Sequence, residues 1–290
     1  MAQLRRRQYA RSQPPSERRM RIALTGASGL VGQFLLRGLA GEVTTFGRTK
    51  ASDRHVTWDL ADQDIDLSGI DVLIHAGFTH EPGKYRGGEG NDPQGFVHAN
   101  LHGTQRLFRN AAKAHVQTVI FLSTRAVFDD VPQGTPLTEE LQPRPSSLYG
   151  QVKVQCEQDL SAHRFRGIAL RATGVYGPGP QHKWRPLFDD YQSGRPIPPR
   201  RGTEVHGTDL AEACNLLIQN DISGPVHASD IVVDRHDLLT EVQMITGNPA
   251  APPPPAGTPV KPLICDKLTN LGWRPGGWDL LRSDLSEMLR

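Results

Sequence analysis

Tyr149 and Lys153 stand four residues apart in a segment of helical periodicity, so a phenol and an ammonium share one helix face. A free tyrosine phenol titrates at about pH 10. A neighbouring ammonium favours the phenolate and brings that value toward working pH. Such a phenol can take a proton from a secondary alcohol or return one to a ketone. Thr124 lies 25 residues upstream of Tyr149, at the end of the almost wholly apolar run Thr118-Val-Ile-Phe-Leu122, where its hydroxyl could hold the same oxygen. Tyr-x-x-x-Lys by itself usually marks a surface pair on a helix, so the assignment of Thr124, Tyr149 and Lys153 as catalytic depends on context.

That context is the run TGASGLVG, Thr25 to Gly32. Glycine makes up 29 of the 290 residues, so spacing alone would be weak. Here the run lies between an apolar strand, Arg21-Ile-Ala-Leu-Thr25, and a segment of helical periodicity from Gly32. The first glycine allows a tight turn, the second lets backbone N–H groups approach a pyrophosphate, and the third lets helix pack on strand. The helix N-terminus adds unsatisfied donors and partial positive charge. Gly26, Ser28, Gly29, Leu30, Val31 and Gly32 are therefore candidate dinucleotide contacts, and an oxidised nicotinamide would favour the phenolate further.

Other elements must place these groups together. Val43–Phe46, His55–Trp58, Asp71–His75, Thr118–Leu122 and Gly167–Arg171 read as strands. Phe96–His115 and Leu148–Leu160 read as helices. Strands alternating with helices predict an α/β fold: a Rossmann-type, doubly wound parallel sheet with a small C-terminal α/β substrate lobe. Such sheets bind ligands beyond the carboxyl ends of their strands. The predicted division is a disordered basic extension at 1–19, an NAD(P)-binding domain at 20–175 and a substrate lobe at 176–290, partly interleaved with the first. Short helices near Leu187–Gln192, Asp209–Ile218 and His236–Thr246 belong to the last part, and Pro252–Pro255 reads as a surface spacer.

Residues 1–19 hold Arg5, Arg6, Arg7, Arg11, Arg18 and Arg19 against Glu17, a local charge of +5. The whole chain carries +2, so the remainder is −3. A nucleic-acid arm or a transit peptide has this composition; a disordered tail, or translation starting at Met20, is the plainer reading. No run of about eighteen apolar residues exists, which argues against a membrane span. Cys156, Cys214 and Cys265 are far apart and odd in number, which fits a reducing cytoplasm with neither disulfide framework nor metal site.

Taken in order, these motifs resemble the extended short-chain dehydrogenases/reductases, the NAD-dependent epimerase/dehydratase family. The resemblance runs from about Met20 to Pro275. It rests on TGASGLVG, Asp59-Leu60, Ile74-His-Ala-Gly77, Asn100-Leu-His-Gly-Thr104, Ser123-Thr124, Tyr149…Lys153, Leu170-Arg171…Val175-Tyr-Gly-Pro178, Val205-His-Gly-Thr-Asp-Leu-Ala211 and Leu271-Gly-Trp-Arg-Pro275. It implies that Asp59 and Leu60 contact the adenine, that Ala76 and Gly77 line the cofactor site, and that Lys153 reaches the nicotinamide ribose. Asn100 would lie near the active-site strand end and Asp209 would cap a helix of the substrate lobe. The implied activity is hydride transfer at a secondary alcohol or ketone of a sugar nucleotide, by a cytoplasmic enzyme compatible with a homodimer.

Gly47-Arg48-Thr49 stands where an Asp or Glu would accept hydrogen bonds from the adenine ribose of NAD. Arg48 suits the 2′-phosphate of NADP, so NADP is expected, with NAD the other choice. Ser123–Asp130 and Pro136–Glu140 resemble sugar-nucleotide 4-ketoreductases such as dTDP-4-dehydrorhamnose reductase, whereas the Asn100 helix resembles the 4-epimerases. Arg125 and Ala126 replace the acid pair of the dehydratases, which argues against 4,6-dehydration. Gly174 replaces the Asn that holds the nucleotide diphosphate in many epimerases; Arg185, Arg195, Arg200 and Arg201 could grip it instead. Two alternatives stay open. A non-catalytic NADP-binding regulatory subunit would have no need of Thr124, Tyr149 and Lys153 together. An RNA-binding member has only the arginine-rich tail in its favour.

Overall fold

Ile22 to Thr25 are all buried, which puts β1 (Arg21–Thr25) in the middle of the main sheet. The computed structural model describes residues 19–81, 84 and 87–290; the extension expected at 1–19 lies outside them except for Arg19. Gly26 turns the chain at φ +73°, a left-handed conformation that costs glycine little, and α1 (Leu30–Gly38) follows. Next come β2 (Glu42–Gly47), β3 (His55–Thr57) and β4 (Val72–His75).

The helix expected over Phe96–His115 is three pieces: α2 (Pro93–Val97), a π turn at His98–His102, and α3 (Gly103–Lys113). It starts early because Asp92 caps it, accepting from the Gly95 N–H at 2.8 Å, with Pro93 where a missing N–H costs nothing. β5 (Thr118–Thr124), α4 (Leu148–Ser161) and β6 (Arg166–Ala172) complete the first half. The second half contains β7 (Gly174–Tyr176), α5 (Arg185–Gln192), β8 (Arg201–His206), α6 (Gly207–Gln219), β9 (Gly224–Ala228), β10 (Ile231–Asp234), α7 (Arg235–Thr246), α8 (Asp266–Asn270) and α9 (Gly277–Met288).

The main sheet has the order β3-β2-β1-β4-β5-β6-β9 with every neighbouring pair parallel. Its central strands, β1, β4, β5 and β6, are apolar on both faces. Ile22, Leu24, Ile120 and Leu170 pack with α1, α6 and α8; Ala23, Val119, Phe121 and Ala169 pack with α3 and α4. That division follows from the two-residue period of a strand. β7, β8 and β10 form a second sheet, and with α5, α7 and α9 they enclose a separate core around Tyr176, Phe188, Leu239 and Leu285.

After entering this lobe the chain returns to the main sheet. β9 extends β6, pairing Leu170 with Val226, and α6 lies against α1. Asn215 fastens the two helices by donating to the Gly38 carbonyl at 2.8 Å and accepting from the Ala40 N–H at 2.9 Å. Asp209 meets the start of a second-lobe helix, α9, rather than capping its own helix. α6 belongs to the main sheet's layer, and its N-cap is His206, whose Nδ1 accepts from the Thr208 N–H. Asp209 lies in the first turn of α6 and accepts from the N–H of Gly276, the N-cap of α9, at 3.1 Å. The polyproline segment is more than a spacer: Pro253 is buried and its carbonyl accepts from His236 Nδ1 at 2.8 Å.

Candidate active site

A cleft of about 900 Å³ runs along the carboxyl ends of β1, β2, β4, β5 and β6 and continues between the main sheet and the second lobe. Gly26, Ser28, Gly29, Leu30, Val31, Gly32, Arg48, Asp59, Leu60, Ala76, Gly77, Thr124, Tyr149 and Lys153 all line it. Parallel pairing explains the gathering, because every strand end points the same way.

At the glycine end, Gly29 is the N-cap of α1 and contributes no side chain, and no acid occupies the first turn. The first N–H groups of the helix are therefore open to an anion. A Cβ at Gly32 would collide with the Gly26 backbone, whereas one at Gly29 would meet only the Gly26 carbonyl, at 3.5 Å. The space beside Gly29 is thus a cradle that a side chain would fill. Arg48 lies exposed at the rim after β2. Asp59 holds the Ala61 N–H through Oδ1 at 2.9 Å, shaping the turn that carries Leu60.

The floor between the two ends is built on buried polar contacts. His75 joins Thr25 and Thr104, at 2.6 and 3.0 Å, and Thr25 accepts from the Gly77 N–H at 3.2 Å. Burial, reinforced by the Lys153 charge, takes the His75 pKa down to about 3, so the ring stays neutral. Asn100 does not line the cleft; it grips the loop that does. Its amide accepts from the Thr79 N–H and donates to the Thr79 carbonyl, both at 2.7 Å. Asn100 stands inside the π turn, a distortion often found at functional sites.

Thr124 ends β5 and caps the 3₁₀ turn Arg125–Phe128 by accepting from the Ala126 N–H at 3.1 Å. Its hydroxyl proton remains for an oxygen in the cleft. Beneath it, Ser123 donates to Glu157 at 2.5 Å, and Glu157 makes a buried ion pair with Arg171 at 2.7 Å. Tyr149 is in the first turn of α4, capped by Ser147, whose Oγ accepts from the Gly150 N–H. The positive end of that helix favours negative charge on the phenol.

Lys153 follows one turn later, buried, donating to the Leu122 carbonyl at 2.7 Å. Its ammonium lies 4.3 Å from the centre of the Phe78 ring and 4.6 Å from that of Phe121. Burial pulls its pKa down to about 8. Phe78 also meets Tyr149 edge-to-face at 5.2 Å. Phe78 was missed from sequence although it directly follows the Ile74–Gly77 motif.

On the far wall, Arg200 and Arg201 line the cleft, whereas Arg185 and Arg195 do not. Arg195 is held outside by Asp190, at 2.7 Å. Arg201 is paired with Asp234 at 3.1 Å. Lys183, Glu204 and Arg235 also line the cleft and were not foreseen. Lys183 and Glu204 are 21 residues apart on different elements, and no spacing rule connects them. Among the described residues no helix is long and apolar enough to cross a membrane.

A family model described as NAD dependent epimerase/dehydratase family matches residues 22–231. The uncharacterized protein y4nG of Sinorhizobium fredii (strain NBRC 101917 / NGR234) is 27% identical over 211 residues, 66% of this chain and 51% of its own length. This chain thus spans about half of that relative. The UDP-glucose 4-epimerase of Rhizobium meliloti (strain 1021) is 26% identical over 281 residues, 88% of this chain and 82% of its own. Among solved structures, the Thermus thermophilus UDP-glucose 4-epimerase in complex with NAD has a TM-score of 0.74 at 22% identity, covering 93% of this chain and 99% of that one. Agreement in fold at so low an identity concerns the architecture, namely the parallel sheet and its flanking helices.

Proposed function

The chain belongs to the NAD-dependent epimerase/dehydratase family, and on that premise we propose that it is an NAD(P)-dependent oxidoreductase or epimerase of the extended short-chain dehydrogenase type, acting on a sugar nucleotide. The observation that carries the reading is Thr124, Tyr149 and Lys153 on one cleft that begins at the open helix terminus of α1. The cradle at Gly29 suits a pyrophosphate, and Asp59 and Leu60 stand where an adenosine would extend from it. A dinucleotide held there would supply the hydride chemistry. The Tyr149 phenol gives its proton to a carbonyl oxygen, or takes one from the alcohol in the reverse direction. Thr124 donates a hydrogen bond to that same oxygen, and the Lys153 ammonium favours the phenolate by charge.

The choice of dinucleotide has one argument on each side. The Thermus thermophilus neighbour was solved with NAD. Arg48 follows β2 where an acid would serve NAD, and it would meet a 2′-phosphate with a guanidinium. Residues of the second lobe form the substrate side, with Arg200 and Arg235 supplying positive charge at its outer part. The purified protein, screened with NADH and NADPH against UDP- and dTDP-linked sugars and 4-keto sugars, tests the reading. Turnover or substrate-dependent binding with one of these is expected. Neither with any of them would overturn it.

A further inference from the structure

Gly174 opens β7 two residues beyond Ala172, and Ala172 pairs with Thr124 across β5 and β6. At about 3.3 Å per residue, Gly174 lies only roughly 7 Å of chain past the strand level that carries Thr124. β7 and β8 then run side by side with Gly174 opposite Glu204. A Cβ at Gly174 would collide with the Glu204 carboxylate and the Lys183 ammonium. These two groups form an ion pair with side chains 26% (Lys183) and 13% (Glu204) exposed, and both line the cleft. The ammonium also lies 5.4 Å from the centre of the Trp184 ring. The space a side chain would take at Gly174 is filled by a pair of opposite charges.

We propose that the Lys183–Glu204 pair is a specificity-determining wall of the substrate site, selecting an uncharged, hydroxyl-bearing sugar ring over one that carries a carboxylate; this rests on the sugar-nucleotide reading above. The pair is neutral as a unit. It sets spare ammonium N–H donors beside carboxylate lone pairs, and a ring hydroxyl, donor and acceptor at once, satisfies both. A substrate carboxylate would meet the Glu204 charge beside an ammonium already neutralised. Of the other cations that line the cleft, Arg201 is paired with Asp234 and Arg235 has Asp190 as a charge partner. Arg125, next to Thr124, has Asp129 at 3.9 Å. Arg200, four residues before Glu204 in sequence, acts on the Lys183 ammonium by charge, so that this ammonium is held to its Glu204 partner the less firmly, without a free cation being added between the pair. A half-buried ion pair gains little net stability, because desolvation offsets the attraction, so fold stability alone does not account for placing it in this wall.

Calorimetric binding of UDP-glucose and UDP-glucuronate to the protein with NADH tests the assignment in wild type, Glu204→Gln and Lys183→Met. Wild type should bind UDP-glucose at least tenfold more tightly. Glu204→Gln, nearly isosteric, frees the ammonium and should narrow or reverse that ratio by about tenfold. Lys183→Met leaves the carboxylate unpaired and should widen it. If Lys183→Met does not fold, the wild-type and Glu204→Gln ratios decide. A wild type that shows no preference or favours UDP-glucuronate overturns the assignment, as does a ratio unmoved by Glu204→Gln. A wild type that binds neither compound also overturns this inference, whereas the sugar-nucleotide reading falls only if the wider panel of UDP- and dTDP-linked sugars and 4-keto sugars fails as well.

Discussion

At the scale of single residues, Tyr149, Lys153 and Arg48 have separable tasks. Tyr149→Phe keeps the ring that meets Phe78 edge-on and removes only the hydroxyl that carries the proton. Turnover should fall by about 10²–10⁴-fold, the range of general acid–base catalysis, with dinucleotide affinity retained. Single-turnover hydride transfer, followed by nicotinamide absorbance, measures it; transfer at the parental rate would remove Tyr149 from the mechanism and bring the regulatory-subunit alternative forward. Lys153 sets the pH response. Burial holds its pKa at about 8, so the ammonium is present below that pH and lost above it. The plot of kcat/KM against pH should therefore bend downward on its alkaline side near 8, and an activity that stays level well beyond that point would exclude the ammonium. Arg48→Ala should weaken NADPH by about 1.5–3 kcal/mol, the scale of a hydrogen bond to a charged group, and leave NADH little changed. Equal losses for both in fluorescence titration would mark the arginine as structural.

At the scale of elements, the turn from β1 into α1 carries the cofactor reading. Gly29 is extended at φ −80°, which valine tolerates, and its Cβ direction is open. Gly29→Val should fold with a near-parental melting temperature yet lose dinucleotide binding, because the side chain enters the cradle. Undiminished NADH and NADPH affinity would refute the assignment of the glycine run. The same turn shows why much of the site was legible in sequence. β1, β4, β5 and β6 are short apolar runs buried on both faces, and parallel pairing brings their motif-bearing ends to one cleft. The second lobe was less legible. β8 (Arg-Gly-Thr-Glu-Val-His) has mixed polarity, and β7 is three residues long; neither forms an apolar run, and their few core residues, Tyr176 and Val205, are placed by pairing among β7, β8 and β10. The π turn that seats Asn100 leaves no periodic signal over five residues. Phe78 was hidden for a different reason, since its place between Tyr149 and Lys153 comes from loop Gly77–His80 folding back under the Asn100 clamp.

At the scale of the whole molecule, the two sheets lie in separate lobes whose chain segments are joined in one core. The segment that supplies the second sheet also supplies β9, the edge strand beside β6, and α6 and α8, which cover one face of the main sheet. Val205, Leu210, Leu217, Val226 and Leu268, all beyond residue 176, pack in one cluster with Leu24, Ile120, Ile168 and Leu170. A chain ended at residue 175 would leave β6 as a bare edge and uncover much of that face. Burial of a Leu or Ile is worth about 1.5–3 kcal/mol, so uncovering these four costs on the order of 6–12 kcal/mol. That matches the whole stability of a typical domain, about 5–15 kcal/mol. The fragment 19–175 should therefore not fold cooperatively, although it holds the glycine run, Thr124, Tyr149 and Lys153. Thermal denaturation followed by circular dichroism, with dye binding to exposed apolar surface, tests this against residues 19–290, which should melt in one sharp transition. A fragment that melts sharply and binds NADH would show that the two parts fold independently and that α6 and β9 are dispensable to the cofactor site.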